Sequence, residues 1–413
     1  MRKIVILGTA LAVLATVSSC SSDDDLTQSS KTAVQGTPVK IVLGNVTRAD
    51  LSKTTTANLS SFQLYGIQQT ASKNHWMNNV QFTQSGGSWS SAANPTWPVD
   101  NKETLTNFYG FSDGVTNGTP EGLTPSIEND AQSFTFTFGE GSESTRYYSQ
   151  FTQTQIDNAT VPAMKTAWQT QRNSKTTTAT VLDSDRQTDL LVTADNATGV
   201  EGTDGTLNLA FKHSLASLVI KAMFVGDEAV NKWPSTSVFY IEWIRIHGLY
   251  TSGTYTFGSG WTNSDSDSKV VYEKFFGEED SATPDPRWTM SIVPYATYNV
   301  ADDAGKKATY QTIVDAGEFM AIPQDYSSRA YAGQGTAISV AQGAGQCYIE
   351  LCGYFKLNST AGATGQGQLL YFPLNVKNNV IAAGKQHTIL LDLTSALKSD
   401  GSYLATPSQA GGN

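Results

Sequence analysis

Strict alternation of apolar and polar residues marks the strands of this chain. Ser133-Phe-Thr-Phe-Thr-Phe138 sets Phe134, Phe136 and Phe138 on one face and Ser133, Thr135 and Thr137 on the other. That period of two is the signature of a half-buried β-strand. Comparable runs at Phe62–Ile67, Asp189–Thr193, Leu207–Phe211, Leu218–Val225, Val238–His247, Tyr348–Leu351, Leu369–Val376 and His387–Leu393 predict further strands. Turn-forming stretches separate them, such as Ser85–Ser88, Asp113–Gly122, Asn196–Gly205 and Gly258–Asp267. Helical spacing is nearly absent, and only Val161–Arg172 predicts two or three helical turns. Many short strands joined by Gly-rich turns predict an all-β chain of sandwiches. The polar stretch Asp195–Asp204, between two strand groups, predicts the boundary between two of them.

The first residues follow a different logic. Arg2 and Lys3 precede an apolar run, Ile4–Val17, shorter than the roughly 20 residues a membrane span needs, which reads as an export signal. It ends in Val17-Ser-Ser-Cys20, an arrangement that resembles the lipobox of bacterial lipoproteins. The resemblance implies cleavage before Cys20 and diacylation of its sulfur, hence attachment to outer-membrane lipid. An ordinary secretory signal with a coincidental cysteine is the alternative. Ser21-Ser-Asp-Asp-Asp25 then reads either as a surface-export signal or as a solvated linker. The expected organisation is a signal peptide at 1–19, a lipidated linker at 20–36, sandwiches at 37–200 and 205–394, and a polar tail at 395–413.

Charge narrows the partners. Without residues 1–19 the chain carries 25 Lys and Arg (27 minus Arg2 and Lys3) against 37 Asp and Glu, a balance of −12. Such a chain has no electrostatic reason to bind nucleic acid or an anionic membrane surface. Charged residues make up only 15% and aromatics reach 10%, a mixture that suits a folded β-protein and argues against disorder. Apart from Cys20 the cysteines are Cys347 and Cys352. Their odd spacing puts them on opposite faces of one strand, about 17 Å apart, where a disulfide needs Cα atoms within about 7 Å. Two free, partly buried thiols are expected.

The order of several motifs resembles the fimbrillin family, the subunits and relatives of type V pili. A strand leads into Val46-Thr-Arg-Ala-Asp50. Next come Leu59-Ser-Ser-Phe-Gln-Leu-Tyr-Gly66, Trp89, Thr96-Trp-Pro98 and Leu105-Thr-Asn-Phe-Tyr-Gly-Phe111. Asp189-Leu-Leu-Val192 precedes Leu209-Ala-Phe-Lys-His-Ser-Leu215, whose Phe-x-His-x-Leu run is the most specific marker. Ile322-Pro-Gln324, Tyr371-Phe-Pro-Leu374 and Gly384-Lys385 complete the series, which covers roughly residues 37–394. The resemblance implies two tandem transthyretin-like β-sandwiches. It also implies a removable first strand, carried here by Val39, Ile41 and Leu43, with maturation cleavage between Arg48 and Ala49. The vacated groove would receive a strand from the next subunit. An uncut first strand with Arg48 in an exposed turn is the alternative. After Leu393 the chain departs from the family's stalk subunits. Residues 394–413 hold scattered apolar positions, Pro407 and two glycines near the end, a poor strand to donate. An accessory, anchor or tip subunit fits better, with other pilus subunits as partners.

Catalytic and metal chemistry have little foothold. His75, His213, His247 and His387 lie far apart and form no H-x-x-x-H or H-E-x-x-H pattern. His213 reads as a packed, hydrogen-bonded residue. Asp183-Ser-Asp185 and Asp265-Ser-Asp267 lack the rest of a calcium loop and read as solvated turns. No cofactor, metal site or enzymatic activity is expected. A second function class rests on Trp76, Trp89 and Trp97, which an exposed arrangement would turn into a glycan platform. The alternative function is then a free-standing surface lipoprotein that binds a glycan or a host protein; rings buried in a sandwich core speak against it.

Overall fold

A computed structural model of the chain describes residues 36–44, 59–100, 103–114, 118–128, 132–139, 141–148, 175–184, 187–194, 197–199, 204–223, 238–263, 270–276, 290–292, 310–331, 345–356 and 368–393. They belong to one compact unit that begins at Gly36. Regular structure among them is β, with two short 3-10 turns and no α-helix. The expected helical turns at Val161–Arg172 lie outside the described residues.

Among the described residues the strands fall into six sheets. The first strand, β1 (Lys40–Leu43), pairs in parallel with β12 (Thr206–Leu209). A seven-stranded sheet has the path β13 (Phe211–His213), β10 (Leu191–Thr193), β5 (Thr106–Ser112), β2 (Ser61–Gln68), β3 (Asn74–Ser85) and β4 (Ser88–Ser90), with β11 (Thr198–Gly199) also on β5. A four-stranded sheet runs β17 (Gly260–Asn263), β16 (Ser252–Thr256), β7 (Gln132–Thr137) and β6 (Leu123–Ile127). The second seven-stranded sheet runs β23 (Gln368–Pro373), β22 (Tyr348–Lys356), β15 (Val238–His247), β18 (Val270–Phe275), β9 (Lys175–Asp183) and β8 (Ser142–Tyr148), with β19 (Met290–Ile292) on β15. In the three-stranded sheet, β14 (Ala216–Met223) lies between β20 (Gln311–Ala321) and β25 (Gln386–Asp392). A small pair joins β21 (Gln324–Asp325) to β24 (Val380–Ile381).

The all-β class expected from the alternation is what the chain adopts. Phe134 and Phe136 of β7 are fully buried, as the pattern requires. Pairing crosses residues 195–204: β7 lies against β16, and β9 lies in parallel against β18. Within that stretch, Thr198 and Gly199 bridge to β5. Two large apolar clusters fill the interior. One gathers residues from both sides of the stretch, including Phe111, Phe134, Leu218, Ile244 and Phe319. The other gathers Ile41, Phe62, Phe82, Trp97, Phe108, Leu207, Leu209 and Phe211.

The cysteines depart from the expectation in one respect. Cys347 and Cys352 are free and on opposite faces, one in the main cluster and one beside Trp243, but both are wholly buried. The reason is that both faces of β22 are covered, which alternation in one strand does not reveal. Burial pushes the Cys347 thiol up to about 11. The same covered face carries charges: Arg245 is wholly buried and its Nε donates to Glu273 at 2.7 Å, while Arg146 Nη2 donates to the other carboxylate oxygen at 2.7 Å. Burial alone would raise the Glu273 carboxyl, but the two guanidiniums outweigh it and hold the group below its ordinary value. His213 is packed, as expected, with Nδ1 2.7 Å from Oδ2 of the equally buried Asp189.

Candidate strand-exchange groove

β1 occupies a slot whose walls come from segments far apart in the chain. Its approach is antiparallel: Pro38 bridges Thr96, Trp97 N donates to Thr37 O at 2.8 Å, and Val39 N donates to Pro95 O at 3.0 Å. Pro38, which has no N–H, sits where none is needed. The strand then changes partner. Lys40 N donates to Gly205 O at 2.9 Å, the parallel register runs from Lys40↔Thr206 to Leu43↔Leu209, and Gly44 N donates to Leu209 O at 2.8 Å.

Side chains alternate as the sequence predicts. Ile41 is 7% exposed within the second cluster, and Val39 and Leu43 pack half-buried against it. Lys40 faces solvent and Val42 is 50% exposed. The three candidate residues of the removable strand therefore share one face, toward a floor that includes Leu207, Leu209 and Phe211.

Two glycines permit this close approach. Gly205 has φ +75°, and a Cβ there would lie 2.3 Å from the Pro38 carbonyl oxygen. A Cβ on Gly36 would lie 2.3 Å from the Trp97 carbonyl oxygen. The Gly205 carbonyl accepts twice, from Lys40 N and from Trp97 Nε1 at 2.9 Å. Just before β12, Asp204 accepts from Thr206 N at 3.1 Å and from Thr206 Oγ1 at 2.7 Å. The Thr206 hydroxyl bond and then its N–H lower the Asp204 carboxyl below its ordinary value. In the sequence Asp204 and Gly205 stand out only as the end of a turn-forming stretch, and Gly36 not at all. The signal present was Asp204-Gly-Thr206, a turn dipeptide directly before an alternating run.

The tryptophans are packed among other rings. Trp97 is 2% exposed; Trp76 and Trp89 are half-buried against the same cluster. Trp76 lies 5.4 Å from Trp97 and 6.1 Å from Phe108, both centroid to centroid, and Trp89 lies 4.9 Å from Phe62. These rings turn faces and edges toward one another, as core aromatics do. Cys20, Arg48 and Ala49 lie outside the described residues, as do Asp185, Asp265 and Asp267. Among the described residues no group of His, Cys, Asp or Glu is arranged to hold a metal ion, and no helix is long and apolar enough to cross a membrane.

Antiparallel-rich sheets around buried aromatic clusters, with a first strand slotted beside a distant one, define a β-sandwich protein. The fimbrillin-like family model matches residues 128–404, and the chain belongs to that family. Among solved structures, a fimbrial protein from Bacteroides vulgatus is 14% identical, with a TM-score of 0.50 over 88% of this chain and 97% of that one. A proposed cell adhesion protein from Bacteroides uniformis is also 14% identical, with a TM-score of 0.35 over 86% of this chain and 91% of that one. A search of curated proteins gives no match.

Proposed function

We propose that the chain is a lipid-anchored outer-membrane protein at the cell surface or in the fimbrium, an accessory, anchor or tip subunit that acts in assembly and adhesion by β-strand exchange. The observation that carries this reading is the seating of β1. Four residues lie in parallel register on β12, with Val39, Ile41 and Leu43 directed to one apolar cluster and the opposite positions open to solvent. In β-strand addition, backbone bonds along such a strand supply affinity and the seats for its alternate side chains supply specificity, so an incoming strand of matching pattern would take the place of β1. Cleavage between Arg48 and Ala49 would free β1 from the rest of the chain. Diacylation of Cys20 would tether the uncut form to outer-membrane lipid. Partners are then other pilus subunits and, beyond them, host proteins or glycans. The buried and half-buried tryptophans favour this structural role over a glycan platform.

Mass spectrometry of the mature N-terminus, in outer-membrane and sheared-filament fractions of native cells, tests the reading. A start at Ala49 in filaments, abolished by Arg48→Ala, supports cleavage and strand exchange. A lipidated Cys20 start confined to membranes supports an anchor with β1 in place. Filaments containing the chain with residues 36–48 still attached would refute exchange at this groove.

A further inference from the structure

The first strand and the last described strand dock on one continuous segment. β12, β13 and β14 follow one another between Thr206 and Met223. β1 lies in parallel on β12 over four residue pairs, and β25 lies in parallel on β14 over seven, from Ser217↔Gln386 to Met223↔Asp392. Backbone bonds bracket both overlaps. Lys40 N–Gly205 O and Gly44 N–Leu209 O close the first at 2.9 and 2.8 Å; Ser217 N–Lys385 O and Leu393 N–Met223 O close the second at 3.0 and 2.9 Å.

We propose a mechanical function: the chain carries tension between its two ends through the segment Thr206–Met223. Tension applied toward the N-terminus draws β1 backward along β12, and tension toward the C-terminus draws β25 forward along β14. Because both pairs are parallel, each is loaded along its length, and its evenly spaced bonds share the load instead of opening one at a time. Residues 45–204 and 224–384 lie outside this path, except Pro95–Trp97, which hold Thr37–Val39 ahead of β1. The sheets they form stay unstretched while the ends are pulled. The shorter overlap, at β1, yields first. This goes beyond strand exchange, since it concerns the chain with β1 in place.

Single-molecule pulling on the full chain, carrying Cys20→Ser to prevent lipidation and a handle at each end, reads the path directly. The first rupture frees at most the 23 residues from Gly36 to the buried Leu59 (58 − 36 + 1), where Ser60 N–Gly114 O also holds the chain, and lengthens the tether by at most about 78 Å at roughly 3.4 Å per residue. A second geometry puts one handle at the N-terminus and the other on Asp204→Cys, an exposed position at the start of β12, with Cys347 and Cys352 protected by burial. That geometry opens the pair from its Lys40/Thr206 end. Release of β1 should then need measurably less force, because the evenly spaced bonds of the ladder break in turn. Equal forces in the two geometries would overturn the proposal. So would a first end-to-end rupture far longer than 23 residues, a result that needs no substitution at Asp204.

Discussion

Replacing Gly205 by alanine isolates the seat of β1 from the rest of the fold. The new methyl meets two obstacles. One is local: Gly205 sits at φ +75°, where an L side chain costs roughly 1–2 kcal/mol. The other is the first strand, because the Cβ would lie 2.3 Å from the Pro38 carbonyl oxygen. Ordinary contact begins near 3.4 Å, so strand and turn must part by about 1.1 Å (3.4 − 2.3). Such a shift breaks the Lys40 N–Gly205 O bond and strains Trp97 Nε1–Gly205 O. At about 1 kcal/mol net for each bond, the docked state of β1 loses about 2 kcal/mol beyond the local cost. That corresponds to about a thirtyfold rise in the population with β1 released. Gly258→Ala is the matched control: φ is +82°, and nothing lies within 4 Å of its Cβ. Limited trypsin digestion at Lys40, followed by mass spectrometry, reads the released population, since cleavage requires the strand to leave its slot. Gly205→Ala should accelerate that cut about thirtyfold and Gly258→Ala should leave it nearly unchanged. Equal cleavage rates in the two variants would show that contact with Pro38 does not hold β1, and the reasoning would fail.

Two further outcomes follow from the buried charges and thiols. Glu273→Gln leaves the wholly buried Arg245 without its carboxylate and should cost about 3–5 kcal/mol in denaturant unfolding at pH 7. Because the folded-state value of Glu273 is depressed, its contribution is present above the unfolded value near pH 4.3 and is lost as pH falls through the lower folded value. The gap between variant and wild type should therefore close below about pH 4, and a gap independent of pH would refute the assignment. Cys347 and Cys352, being buried, should resist a thiol reagent at pH 8 and react once denatured; rapid native labelling of either would contradict the packing of β22.

Much of the strand inventory was legible because alternation reports burial of one face. Val238–His247 forms the strand its residues predict, and Phe134 and Phe136 point inward as their spacing requires. Leu207–Phe211 reads as one strand but divides at Ala210, whose carbonyl accepts from Ala194 N at 2.8 Å and so turns to a different sheet. Local pattern carries no information about that distant partner. The apolar face of β1 was visible in Val39, Ile41 and Leu43, whereas its pairing with Thr206–Leu209 was not, since register between remote parallel strands leaves no local signature. Arg245 is a similar case. In Ile-Arg-Ile it looks like the outward residue of an alternating strand, yet the outward face is covered and Glu273 neutralises it. Tryptophan spacing likewise could not say whether the rings face solvent or one another; the packing supplies that.

The separation between β1 and its partner also sets an order in time. Lys40 and Thr206 are 166 residues apart (206 − 40), so during synthesis β1 emerges roughly 8–30 s before the strand it needs, at about 5–20 residues per second. Through that interval Val39-Lys-Ile-Val-Leu43 is an unpaired, β-prone segment with a single charge, at Lys40, to discourage premature association. The first described strand is thus made long before its partner, and its slot begins life empty.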